Sequence, residues 1–448
     1  MLRSFRLGNH RSFRDEHELL LMPAYAKDRL ALPVAAVYGA NASGKSNLLD
    51  GLRFMASAVR DSFASWRPDG GVPRRPFKLD AAALAEPSVF VAEFIEAGVR
   101  YTYGFEVDDT RVREEWLYSY PEKRKRILFE RSADEIKFGS TDSELKAKLE
   151  VLAGLLRPNS LLVSLAAQSN VAQVMPVYRW FVNGLHFRVD GDLHMAEHQI
   201  GHFIAARTDY HEQLVELLRA ADFGISGIIV GGVESAPEIK RAERVHSELI
   251  AEAAPRSGTG VVDRRPFNVD LRLSEAALQL EIAILEFERK RRRVRLLHGE
   301  NETFEFDEES AGTRSWLGLL PTVLPVLHEG GVLVIDEIDA SLHPLLALRL
   351  IALFNDEATN TAGGQLIFTT HDATLLHAPF GEEVLARDEV WFVEKDEKGA
   401  SSLYPLTDFK PRSEDNVQRR YLAGRYGAVP NLFEDRFAAA VRGIDAEA

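Results

Sequence analysis

The sequence predicts an α/β fold: a mixed sheet with an antiparallel β subdomain, plus a mainly helical insertion lobe. Three observations carry this. A glycine-rich loop, Gly39-Ala-Asn-Ala-Ser-Gly44-Lys45-Ser46, lies between an apolar run over residues 30–38 and a helical pattern over 45–59. Far downstream, the continuous apolar run Val332-Leu-Val-Ile335 ends in Asp336 and Glu337, as in a strand buried on both faces of a parallel sheet. Residues 89–129 are rich in Val, Phe, Tyr and Trp and are broken by turns at 96–98 and 108–110, the pattern of an antiparallel meander.

The remaining elements follow in order. Residues 1–60 read as strand, turn, strand and then the loop and its helix, and the Pro- and Gly-rich piece 66–76 reads as a loop. Helical periodicity starts near Ser143 with SELKAKLEVLAGLL and recurs over 210–221 and 237–254. A loop at 254–260 precedes a mixed segment, 267–297. After Ser310 come a helix, the acidic strand, a helix over 345–355, a strand over 365–370 and a hairpin through 390–406. The expected organisation is an N-terminal lobe (1–135), the helical insertion (136–305) and a C-terminal lobe (306–448). Neither a sustained heptad nor a solenoid period is visible.

At 448 residues, 46% hydrophobic and 27% charged, the chain can bury a large core. It shows neither an apolar stretch of bilayer length nor a secretory leader, so a soluble cytoplasmic protein with no membrane partner is expected. With no cysteine, disulfides, thiolate zinc sites and a cysteine nucleophile are excluded. A net charge of -14 argues against a surface that binds nucleic acid throughout. Two basic runs, 123–126 and 290–293 with Arg295, read first as solvated charge and only second as a local nucleic-acid groove.

In the glycine loop, Gly39 and Gly44 let the backbone curl so that N–H groups at a helix N-terminus face phosphates. Lys45 adds a point charge, and the Ser46 hydroxyl suits Mg²⁺. Asn41 and Asn47 join the candidate nucleotide contacts. Neighbouring strand residues point to opposite sides, so Asp336 can serve the metal shell while Glu337 faces an attacking water. The strand after it ends in His371; alone that reads as a polar rim residue, but the spacing lets it reach the γ-phosphate. Alone, Ser310-Ala-Gly312-Thr313 would be no more than a helix cap.

Taken in order, GANASGKS, ESAGT, VLVIDEIDASLHP and TTH resemble the ATP-binding-cassette (ABC) ATPases of the SMC and double-strand-break-repair group. Within that group the likeness is to the ATPase domain of overcoming-lysogenisation-defect (OLD) proteins and RloA-like phage-defence ATPases. The opening Asn9-His-Arg11-Ser12-Phe13 and the tail over residues 421–430 share the likeness, whereas the middle matches only in general character.

The resemblance implies an ABC-type P-loop ATPase head in which Gly39, Gly44, Lys45 and Ser46 bind ATP and Mg²⁺, with Arg11 touching phosphate. It makes Asp336 the metal support, Glu337 the catalytic base and His371 the switch histidine. Ser310 and Gly312 become a signature motif that contacts the γ-phosphate bound by an opposite subunit. The signature reads SAGT rather than LSGGQ, and His343 stands where SMC heads place an Asp; both are usual in the OLD-like branch. Gln168 is a candidate metal-side glutamine, and equally a polar helix end.

The implied function is an ATP-dependent dimerising switch, a homodimer or higher oligomer formed through an ATP sandwich, in antiviral defence. OLD nucleases append a Toprim domain; the acids after His371, such as Asp388, Glu389 and Glu394, form no such cluster, so a separate effector, a nuclease or toxin, is expected. The alternative is an SMC-like DNA-repair or DNA-clamp ATPase, against which the missing coiled coil and acidic balance count. A transporter ATPase is disfavoured by the insertion, the SAGT signature and the NHRSF start.

Overall fold

The computed structural model describes residues 1–25, 29–139, 143–188, 193–231, 244–245, 293–299, 302–377, 383–412 and 415–430. The basic run 290–292, the expected helix over 237–254 apart from residues 244–245, the expected loop over 254–260 and most of the segment 267–297 lie outside them. The chain divides into two compact units, residues 1–189 with 322–448, and residues 190–321.

In the first unit, β1 (Leu2–Gly8) and β2 (His17–Leu20) form an antiparallel hairpin, and β3 (Val34–Tyr38) runs into the glycine loop and the helix Lys45–Asp61. The apolar residues Leu48, Leu49, Leu52, Met55, Ala56 and Val59 recur at helical spacing along that helix and are buried. The meander follows as β4 (Ser88–Glu96), β5 (Val99–Val107), β6 (Val112–Tyr120), β7 (Arg126–Ser132) and β8 (Glu135–Phe138). It pairs with the N-terminal hairpin in one antiparallel sheet of order β2-β1-β4-β5-β6-β7-β8. Helices Ser143–Ala153, Leu162–Gln168 and Met175–Asn183 come next, then β9 (Leu185–Phe187). Phe94 of β4 stacks on Trp180 of the last helix with ring centroids 4.1 Å apart, and Phe181 meets Tyr103 at 5.7 Å, so aromatic packing joins sheet and helix.

Described by itself, the second unit has helices Leu193–Ala206 and His211–Ala220 and the beginning of the helix Ala311–Glu329. It also holds an antiparallel sheet, β10 (Ile225–Val230), β11 (Val294–His298) and β12 (Glu302–Glu305), in order β10-β11-β12. Residues 136–188, read from sequence with the insertion, lie in the first unit, where β9 extends its core sheet.

That core sheet is completed by β13 (Val332–Ile335), β14 (Gln365–Thr370), β15 (Val390–Lys395) and β16 (Ser401–Pro405), in order β16-β15-β3-β14-β13-β9. Every residue of β3, β13 and β14 is buried, as strands covered on both faces require. The pairs β3–β14, β14–β13, β13–β9 and β15–β3 are parallel, and only the β15–β16 hairpin is antiparallel. Among the described residues no helix is long and apolar enough to cross a membrane.

Of the acids after His371, Asp388 accepts the Ala24 N–H at 2.8 Å, and Glu389 accepts from the Ala386 N–H at 2.7 Å and from Asn355. Burial pushes Glu389 up to about 7 despite those two hydrogen bonds. A carboxyl raised by folding contributes stability that is complete below its unfolded value and disappears as pH climbs through the folded one. Unfolding free energy is therefore expected to drop by as much as about 3 kcal/mol as pH rises from about 4.5 past 7. Urea titrations of Glu389→Gln should lack that component; an unchanged pH profile would remove Glu389 as its source.

Candidate functional site

The site is built by register. Ala36 pairs with Phe368 and Tyr38 with Thr370, while Ile335 pairs with Phe368 on the other side. With β14 between β3 and β13 and all three parallel, the glycine loop, His371 and the pair Asp336–Glu337 leave the sheet at the same carboxyl edge. Open α/β sheets form their ligand crevices at that edge.

The loop is shaped by its glycines and held from behind by serines. Gly44 has φ 117 at the N-cap of the helix Lys45–Asp61, and a Cβ there would collide with the hydroxyls of Ser12 and Ser401. Ser401 donates to the Ser43 carbonyl at 2.5 Å, its Oγ lies 2.7 Å from the Ser12 hydroxyl, and Asn47 donates to Ser12 Oγ at 2.7 Å. Asn47 is thereby tied to the loop's support, whereas Asn41 and Ser46 are exposed. A Cβ on Gly39 would lie 2.5 Å from the Val393 carbonyl.

Lys45 bends back, Nζ donating to the Gly39 carbonyl at 2.8 Å and the Ala40 carbonyl at 3.2 Å. Burial holds its ammonium below the ordinary lysine value, while the charges of Glu337, Asp339 and Asp336 pull the other way. The acidic strand end is thus electrostatically continuous with the loop.

Thr369, fully buried on β14, organises that strand end. Its hydroxyl donates to Asp336 Oδ1 at 2.5 Å and accepts the Glu337 N–H at 2.8 Å. Glu337 sits in the left-handed region at φ 51 with its side chain exposed, a conformation that costs on the order of 1–3 kcal/mol in a non-glycine residue. His371 is 57% exposed, and its Nδ1 lies 2.9 Å from Asp339 Oδ2. His343 caps the helix Pro344–Asn355, Nδ1 accepting the Leu345 N–H.

Arg11 is engaged close to the loop. Its Nε and a terminal nitrogen grip both oxygens of Asp50, one turn into the loop's helix, at 2.5 and 2.9 Å, and the buried His10 meets the same carboxylate at 2.9 Å. Burial pushes Asp50 up, but hydrogen bonds from His10 and Arg11 outweigh it and bring the carboxyl to about 2. Asn9 anchors the turn, donating to the Ala83 and Glu86 carbonyls and accepting the Phe77 N–H. Gln168 is the exposed last residue of the helix Leu162–Gln168.

In the second unit, Ser310 caps the helix Ala311–Glu329, its hydroxyl accepting the Thr313 N–H at 3.1 Å. Ser310 and Ala311 are exposed, and Arg314 ties down the preceding turn through the Asp307 and Glu309 carbonyls, both at 2.8 Å.

Sequence reasoning missed Ser12, Asp50, Asp339, Thr369 and Ser401. Asp339, two places after Glu337, Ser12 in the NHRSF start and Thr369 in TTH stood in quoted motifs without an assigned role; Asp50 and Ser401 carried no such signal.

A loop of backbone donors at the start of a 17-residue helix, with a lysine and an adjacent hydroxyl, suits a polyphosphate. Hydroxyl and carboxylate oxygens at Ser46 and Asp336 suit a hard divalent cation.

Several solved structures are similar to the chain. The SMC head domain from Thermotoga maritima is 14% identical, over 90% of this chain and 98% of that one, with a TM-score of 0.34. An SmcHead bound to the C-winged helix domain of ScpA is 15% identical, over 91% and 99%, with a TM-score of 0.38. An Smc head domain with an extended coiled coil, bound to the C-terminal domain of ScpA from Pyrococcus furiosus, is 13% identical, over 91% and 97%, with a TM-score of 0.34. No curated protein matches.

With β14 between the loop strand and the acidic strand in a largely parallel sheet, and a seven-stranded antiparallel sheet in the same unit, the fold is mixed α/β. A family profile described as "AAA domain, putative AbiEii toxin, Type IV TA system" matches residues 34–377, well over half of the chain, and the chain belongs to that family.

Proposed function

We propose that the chain hydrolyses ATP with Mg²⁺ and works as a dimerising switch in antiviral defence, acting with a separate effector protein. The observation that carries this is the convergence of the glycine loop, Asp336–Glu337 and His371 at one edge of three adjacent parallel strands. Backbone N–H groups from Gly39 to Ser46 would bind the phosphates, and Lys45 would exchange its carbonyl partners for phosphate oxygens. Ser46 and Asp336 would hold Mg²⁺, which when bound neutralises phosphate charge. Glu337, exposed beside them, takes the proton of the attacking water.

The signature completes the proposal. Exposed Ser310 and the adjacent Gly312 open a helix N-terminus, a ready anion site, and in the sandwich they contact the γ-phosphate held by a second copy. ATP then favours the closed dimer by the contacts it makes only there, and hydrolysis releases it. The defence role is supported by the family's description, which names an AbiEii toxin and a type IV toxin–antitoxin system.

Phosphate release with ATP and Mg²⁺ tests the activity. Ser310→Arg is expected to cut turnover by about 100-fold, the scale of one lost transition-state donor, with ATP binding by the monomer nearly unchanged. Loss of monomer binding would instead move Ser310 into its own subunit's site.

A further inference from the structure

We propose that Asp339 is a positioning residue for hydrolysis: its carboxylate takes the Nδ1–H of His371, leaving Nε2 as the ring atom that works. This rests on the reading of His371 as a residue that meets the γ-phosphate.

An imidazole more than half exposed, as His371 is, would ordinarily rotate and divide between two tautomers. Here Nδ1 lies 2.9 Å from Asp339 Oδ2, and both partners are fixed by their backbones. Asp339 lies in the short helix Ile338–Ser341, directly after Glu337, whose N–H is bonded to Thr369. The chain beyond His371 is held by the Asp372 N–H, which Thr370 Oγ1 accepts at 3.0 Å. The pair therefore links the end of β13 to the end of β14, the two segments that carry the proposed base and the switch histidine.

A surface ion pair would have little consequence. Asp339 is not at the surface: its side chain is 9% exposed, and Oδ1 is buried with no hydrogen-bond partner among the described residues. A carboxylate desolvated in this way is costly unless charge or hydrogen bonding offsets it. His371 gives the direct contact, and Lys45 feels the charge.

The chemistry follows from which nitrogen is occupied. With Nδ1–H committed to Asp339, a neutral ring presents a lone pair at Nε2 and a protonated ring presents an N–H there. Nε2 is thereby left facing away from Asp339, so His371 can meet a phosphate oxygen through that atom without turning. An asparagine of the same shape removes this selection: with no partner on the other oxygen to fix the amide, it can turn either its oxygen or its N–H₂ toward Nδ1, and the ring divides between two tautomers.

The test is Asp339→Asn in the full chain. Histidine ¹⁵N spectra should show His371 protonated at Nδ1 in the unaltered protein and divided between the two tautomers in the variant. Turnover should fall by roughly 10- to 100-fold with KM for ATP changed less than about threefold, as for other groups that orient a working ligand. Wild-type protonation at Nε2 alone, or an Asn variant with undiminished turnover, overturns the inference. His371→Ala separates the two levels. If that variant also turns over normally, the role of His371 itself fails; if it loses turnover while Asp339→Asn does not, only Asp339 is misassigned.

Discussion

Glu337→Gln is expected to lower ATP turnover by about 10²- to 10⁴-fold, the usual contribution of a positioned general base. ATP binding should hold within about threefold, because a base that acts only on the attacking water contributes little to the ground state. The substitution leaves the surroundings intact. The N–H at this position still donates to Thr369 at 2.8 Å, the backbone keeps its left-handed turn, and Asp336 keeps the Thr369 hydroxyl. The amide that replaces the carboxylate can orient a water but cannot take its proton. The variant should therefore collect in the ATP-bound state, and if that state is the sandwich, light scattering in saturating ATP should report a dimer. A monomer under those conditions rules out the dimerising switch. Undiminished turnover removes Glu337 from the base role and leaves the fold untouched.

How much of this could be read in advance depends on whether a residue's role is local. The loop from Gly39 to Ser46 is legible as a candidate phosphate loop because that role needs glycines, a lysine and a hydroxyl at fixed spacing on contiguous chain. The strands Val332–Ile335 and Gln365–Thr370 are legible because burial on both faces demands unbroken apolar runs. Their order is not. That β14 lies between β3 and β13 is settled by packing between segments about 300 residues apart, on which local periodicity is silent. Ser12 and Ser401 support the loop from positions 389 apart in sequence; Ser12 falls in the NHRSF start, which says nothing of this contact, and no pattern marks Ser401. Arg11, which the resemblance makes a phosphate contact, also grips Asp50, and that grip depends on a turn with φ 51 that the sequence does not advertise. In the second unit, helical periodicity is apparent over 210–221, but β10 to β12 are short, and their pairing joins Ile225–Val230 to strands about 70 residues later.

Glu115→Ala should be the most damaging single change away from the candidate site, lowering unfolding free energy by about 3–5 kcal/mol. Glu115 is fully buried on β6 and is the meeting point of four groups. Tyr103 donates to Oε1 at 3.0 Å, the Val163 N–H donates to the same oxygen at 3.0 Å, the Leu162 N–H donates to Oε2 at 2.7 Å, and Arg131 lies 3.6 Å from Oε2. The carboxylate thus caps the helix Leu162–Gln168 from a distant strand and balances a buried guanidinium. Burial pushes Glu115 up, against the pull of Arg131 and the three hydrogen bonds, and it pushes Arg131 down, against the pull of Glu115. Desolvation therefore dominates for both partners, so the pair itself is a weak source of stability, and the damage comes from breaking it. Alanine would leave Arg131 charged without its counterion and strand two backbone donors. Arg131 keeps its own bonds to the Ala133 and Ser160 carbonyls, at 2.9 and 2.7 Å, and so stays in place as an uncompensated charge. Glu115→Gln should cost roughly 1–3 kcal/mol, because an amide turns one N–H₂ toward donors that need an acceptor. Adding Arg131→Met to Glu115→Ala should restore much of the loss, since the stranded charge goes with it. Urea unfolding of the three variants decides the matter: a Glu115→Ala cost below about 1 kcal/mol, or no recovery in the double variant, would show that the cluster does not hold the helix to the sheet.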